Sequence, residues 1–147
     1  MEGCVMAKEK SNVSPEDYRK FINNLSLLRI ELIKTEFKRD EVFEFPAKVT
    51  IKDDSKFKLL DEKQGLYTVL NHHQLTAVSK NKEKPGLKID VTFKFTYQDK
   101  VPLTAEIFKV FSKQSLVLHS WPYFRQFVQD LAARAGLPPL VLDVIRI

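Results

Sequence analysis

A chain of 147 residues, 44% apolar and 29% charged, is long enough to form one domain around its own core without a metal or disulfide staple. The formal net charge of +5 is too mild to imply a nucleic-acid binder by itself, and four glycines leave little for a phosphate-cradling loop. Cys4 is the single cysteine, which excludes an intramolecular disulfide, argues against a cysteine zinc site and suits a reducing compartment.

The opening, "MEGCVMAKEK", has Glu2 early and no apolar core of a signal peptide, and Cys4 lacks the apolar run that precedes a lipidated cysteine. No apolar run reaches the roughly 18 residues of a membrane span. These features set a cytoplasmic protein as the expectation, with residues 1–13 as a flexible leader and 14–147 as a single domain.

Ser14, Pro15, Glu16 and Asp17 make a helix start: a capping hydroxyl, a proline in the first turn, and acids at the positive end. Tyr18, Phe21, Ile22 and Leu25 then form one apolar helix face. From Leu27 the period becomes two. Leu28, Ile30 and Leu32 alternate with Arg29 and Glu31, as in a half-buried strand. Ile33 and Phe37 break that alternation, which predicts a bulge or a crossover.

The stretch "EVFEFPAKVTIKDDSKFKLLDEKQG" reads as one or two short strands and loops. A strand is predicted from Leu66 to about Val78, then a turn around Pro85-Gly86. In "LKIDVTFKFTYQ", Leu87, Ile89, Val91, Phe93, Phe95 and Tyr97 share one face. "TAEIFKVFSK" reads as a further strand, apolar on both faces through Ile107, Phe108, Val110 and Phe111. A one-sided antiparallel sheet would not place apolar residues on both faces, so either something covers the second face or it meets another subunit.

The closing helix is expected to start at Ser120, with Pro122 in its first turn. Trp121, Phe124, Phe127, Val128, Leu131, Ala132 and Ala135 form its apolar face. Gly136 and Pro138-Pro139 end it, and Leu140 to Ile147 must lie on something apolar. Helix, meandering strands and helix make an α+β fold with an antiparallel sheet.

Catalytic chemistry is hard to find. His72-His73 on a strand point to opposite faces, and His119 has no partner at ligand spacing, so no metal is expected. Cys4 has no organised surroundings to activate it, and no G-x-S-x-G, P-loop or G-x-G-x-x-G occurs. Asp53-Asp54 and Asp61-Glu62 read as turn carboxylates. The expectation is a non-enzyme without cofactors. Lys80, Lys82, Lys84 and Lys88 crowd one connection; as a solvated hairpin tip they protect a sheet edge. A nucleic-acid-binding module stays open as an alternative, although Lys88 and Lys94 face away from the aromatics of their strand.

"WPYFRQFVQDLAARAGLPPLVL" resembles the C-terminal signature of the SecB family of protein-export chaperones. The matching residues are Pro122, Tyr123, Arg125, Leu131, Arg134, Gly136, Leu137, Pro138, Pro139 and Leu140. The resemblance extends weakly back to about Leu27. It implies a four-stranded antiparallel sheet with helices on one side, a homo-oligomer (a tetramer or dimer), and ATP-independent holding of unfolded or pre-secretory polypeptides. Phe43, Phe45, Trp121, Tyr123 and Leu140 become candidates for polypeptide binding, each weighed against plain core packing. Ile107, Phe108, Val110, Phe111, Phe124, Phe127, Val128 and Leu131 become candidates for oligomerisation.

The chain is basic and stops at Ile147, unlike the acidic export members with a further helix. Delivery to an export translocase motor is one expectation, and these departures count against it. Dedicated protection of an antitoxin, as in SecB-like members of toxin–antitoxin systems, is the other.

Overall fold

The computed structural model describes residues 13–140. Its elements are α1 (Pro15–Asn24), β1 (Ser26–Arg39), β2 (Ala47–Asp61), β3 (Leu66–Ser79), β4 (Leu87–Gln98), α2 (Ala105–Lys113) and α3 (Ser115–Arg134). The four strands form one antiparallel sheet in the order β1-β4-β3-β2, so β1 and β2 are its edges.

The first helix starts as its sequence dictates. The Ser14 hydroxyl accepts from the Asp17 amide at 3.1 Å, and Phe21 is fully buried, edge-on to Phe111 at 5.8 Å. In β1 the register shifts at two places, leaving Leu28 and Ile33 without a partner across the ladder. The bulge at Ile33 was legible in the broken alternation. The one at Leu28 was not, and it corrects the expected face: Leu27, not Leu28, lies opposite Tyr97.

Residues 40–46 then cross the end of the sheet to reach the opposite edge. Phe43 anchors this crossover against Gly86, where a Cβ would sit 2.8 Å from the Phe43 ring. Asp40 donates its amide to the Gly86 carbonyl at 2.9 Å, and the Ser79 hydroxyl donates to Glu44 O at 2.8 Å.

The second strand is one continuous element of 15 residues, not short strands with loops. Its apolar alternation fails at Asp53, which defeats pattern reading, but its ladder with β3 runs from Ala47 to Asp61. An edge strand owes its existence to that ladder rather than to burial of its side chains.

The segment 105–113 is a helix, which overturns the expected strand. Thr104 caps it, accepting from Ile107 N at 3.1 Å, with Glu106 in the first turn and Lys113 in the last. Ile107, Phe108 and Phe111 follow the one-and-four spacing of a helix face. Apolarity "on both faces" was this face read with the wrong period.

The last helix begins at Ser115, before the expected start at Ser120, which is a buried residue within it. Pro122 lies inside the helix and leaves the Leu118 carbonyl without its usual donor. Leu118 is 53% exposed, so water reaches that turn. The helix ends as predicted: Gly136 takes φ 72°, Leu137 N donates to Ala132 O and Gly136 N to Ala133 O, the paired bonds of a Schellman stop. Leu140 packs on the core; the rest of the expected apolar tail, and residues 1–12, lie outside the described residues.

The core is a layer of rings between helices and sheet. Phe21, Phe95, Tyr97, Phe111 and Phe124 are fully buried. Tyr97 meets Phe111 edge-on at 5.3 Å, and Phe124 stacks on His73 at 4.6 Å. Each such ring contributes roughly 1.5–3 kcal/mol by burial, which fixes all three helices to one face of the sheet.

Candidate polypeptide-binding surface

Outside that core, most of the exposed large apolar side chains lie on the two edge strands, with Val42 in the crossover and Leu118 on α3 apart from them. At β1 these are Leu27, Leu28, Leu32 and Ile33, the last three about half exposed. Phe93, opposite Leu32 on β4, contacts the rings of Tyr123 and Phe127 of α3. Tyr123, 49% exposed, therefore extends the β1 patch onto the helix layer.

The β2 edge differs. On the helix side it carries Val49, Ile51 and Phe57, all partly buried against the core, then exposed Leu59. Phe57 meets Phe108 of α2 at 4.6 Å, so this side is a shallow aromatic step between strand and helix. On the open side β2 presents Lys48, Lys52, Lys56 and Lys58, interrupted by Asp54. Each edge strand pairs on one side only, so about every second residue directs its N–H and C=O outward.

The open face of the sheet is mostly polar and lacks aromatic residues. Beside the β2 lysines stand Thr76, Gln74, His72 and Leu70 of β3 and Lys88, Asp90, Thr92 and Lys94 of β4. No aromatic residue shares those positions, so the lysines have no stacking partners for bases.

His72 bridges Asp54, at 3.1 Å, and Asp90. Partial burial pulls its pKa down, but the bonds to Asp90 and Asp54 outweigh this and hold it above the ordinary value. His73 points the other way, as alternation required. Burial lowers its pKa to about 4, so it is a neutral aromatic block beneath Phe124. Among the described residues no cluster of three His, Cys, Asp or Glu side chains is placed to hold a metal.

The residues singled out from the sequence fall in several places. Phe43 is buried beneath the crossover, with Phe45 edge-on at 5.2 Å. Trp121 packs on Phe124 and His73, and Leu140 lies partly buried on the core. Of this set Tyr123 alone is more than a third exposed.

Phe111, Phe124 and Val128 are fully buried within the protomer, and Ile107 nearly so. Phe108, Val110, Phe127 and Leu131 are partly covered. Sequence reading missed the β1 patch, although Leu27-Leu28 and Leu32-Ile33 are adjacent apolar pairs that strict alternation forbids. Those doubled positions were its signal.

No protein-family model and no curated protein matches the chain. Among solved structures it is similar to a SecB-like chaperone of Mycobacterium tuberculosis, solved with a ChAD peptide from the HigA1 antitoxin. Their TM-score is 0.72 at 16% identity, over 86% of this chain and 94% of that one. A Streptococcus agalactiae protein of unknown function is more distant, with TM-score 0.52 and 11% identity over 82% and 97% of the two chains. The described chain thus has the SecB-like fold: four antiparallel strands with all helices on one face.

Proposed function

We propose that this protein is an ATP-independent chaperone that holds extended, non-native polypeptide segments along its sheet edges. The observation that carries this reading is the β2 edge, where free backbone groups run beside the step of Val49, Ile51, Phe57 and Phe108. A non-native chain offers the same two things, unpaired backbone and apolar side chains. Backbone pairing is indifferent to sequence, and aromatic walls accept many side chains.

The β1 edge, with Leu28, Leu32 and Ile33 exposed, suits contact with a second copy of the chain. Oligomers would then present several client edges and gain avidity from weak sites. The role expected from sequence for Phe124, Phe111 and Val128 passes in this reading to this strand, because those side chains are already buried in the protomer.

A narrower reading is a dedicated chaperone of one antitoxin, favoured by the antitoxin peptide held by the mycobacterial structure. Delivery to an export motor has less support, since the sheet edge and its connection carry lysines where an acidic docking face is needed.

The test is suppression of aggregation of a denatured client without nucleotide, together with light scattering. Suppression by an oligomer is expected. A strict monomer that leaves aggregation unchanged would end the reading. Protection of a single co-purifying partner, with no effect on generic clients, would select the antitoxin form.

A further inference from the structure

At the far end of the β2 edge lies a cavity of about 280 Å3, between the β2–β3 hairpin and the loop entering α2. Its walls include Leu59, Tyr67, Val101, Pro102 and Leu103. Asp99 and Tyr67 also line it, and each has a polar atom with no hydrogen-bond partner: Asp99 Oδ2 and Tyr67 Oη. Both residues are nearly closed to solvent, at 2% and 1% exposure.

The carboxylate is fixed in place. Asp99 Oδ1 accepts from Val101 N at 2.8 Å, and the Asp99 amide donates to Gly65 O at 3.0 Å. Gly65, at φ 65°, has no room for a side chain, since a Cβ would sit 1.9 Å from Asp99 O. A buried oxygen without a donor is costly, and for a carboxylate more so. Consistent with this, burial raises the Asp99 pKa to about 6 and pushes that of Tyr67 up, with Asp99 adding to the latter.

We propose that this cavity is a subsite for one cationic nitrogen head group, an alkyl guanidinium or ammonium. Its charge would pair with Asp99 Oδ2, its second donor would reach Tyr67 Oη, and its methylene stem would lie against Leu59, Val101 and Leu103. The match is of head to polar end and stem to apolar wall, as basic side chains divide themselves elsewhere. An anion is refused by Asp99. Guanidinium fits better than ammonium because its planar donors serve both acceptors at once.

Three charged residues line the mouth: Glu62 attracts the ligand, while Lys63 and Lys100 oppose it. All three are exposed, so solvent screens them. Leu59 joins the cavity to the β2 step through Phe57. Resting on the proposed function, the subsite would take an arginine or lysine of a client lying along β2.

The experiment uses paired extended peptides of alternating apolar and neutral residues, identical except for one arginine or citrulline, titrated into the wild type, Asp99→Asn and Tyr67→Phe. Wild type is expected to prefer the arginine peptide about tenfold, as for a charge-assisted bond. Asp99→Asn should bind both equally, and Tyr67→Phe should keep a reduced preference of about threefold.

Thermal melting of each variant reports folding. Equal affinity of the wild type for both peptides, or a preference that survives in Asp99→Asn, would overturn the subsite. If neither peptide binds, the chaperone reading fails, and free agmatine decides the cavity. Shifts of the Gly65 and Val101 amide resonances in the wild type but not in Asp99→Asn sustain it. No shift means the cavity holds only water.

Discussion

The two edges of the sheet have the same backbone problem and opposite side chains. β1 doubles its apolar residues at two bulges and leaves Leu28, Leu32 and Ile33 half exposed. β2 fences its open side with Lys48, Lys52, Lys56 and Lys58 and keeps its apolar residues on the helix side. Charged edges resist indiscriminate pairing, while bare apolar edges invite it. On the proposed function the difference would separate two tasks, a lasting partner of complementary shape at β1 and a passing one at β2. A lysine fence also tolerates an added strand while discouraging a second lysine-bearing copy.

The largest effect should come from the floor both edges share. Phe124→Ala removes a fully buried ring stacked on His73 and should cost about 3–5 kcal/mol. Urea unfolding would show this, and both edge activities should fall together. If only one falls, the edges do not depend on a common core. Next, Leu32→Lys with Ile33→Lys should convert β1 into a fenced edge. Self-association is expected to weaken by about thirtyfold or more, the scale of a lost hot spot. Light scattering would reveal monomers, with client binding per chain retained.

The reverse change sharpens the contrast. Lys52→Val with Lys56→Val should make β2 resemble β1. Folding stability should shift by less than about 0.5 kcal/mol, as for exposed sites, yet concentration-dependent aggregation should appear in sedimentation. Unchanged solubility would mean that the lysines do not guard this edge.

The smallest effect is on pH dependence, because two titrations oppose each other. His73 has its pKa lowered to about 4, so the unfolded chain binds its proton first, and stability is lost as pH falls from about 6.5 toward 4. Asp99 has its pKa raised to about 6, so the native chain holds its proton longer, and stability is lost as pH rises from about 4 to 6. The wild-type melting temperature should therefore vary little across this window. His73→Phe should tilt the profile toward the Asp99 slope, falling with pH, and Asp99→Asn should leave the rising slope of His73, to which buried His119 adds in the same direction. Identical profiles for both variants would refute the assignment.

Much of the fold was legible because local rules decided it. Ser14 and Pro15 start α1, period two runs unbroken through β4, and Gly136 stops α3. The helix at 105–113 was misread because nine residues with four large apolar members satisfy either period when capping is overlooked; Thr104 held the answer. β2 was underestimated because its evidence is a ladder to β3, which no local window contains. The site was less legible still. Phe43, a candidate for polypeptide binding, and Phe111 and Phe124, candidates for oligomerisation, stand out by residue type, and all three are buried within the protomer.

By itself, then, the sequence determined an α+β chain, its strand β4, its terminal helices and its lack of familiar catalytic motifs, since these depend on neighbours within a few residues. Only the tertiary structure decided which rings are spent in the core, which strands are edges, and that Asp99 and Tyr67 close one cavity from different strands' ends. Burial and edge position depend on residues far apart in the chain, and no local periodicity encodes them.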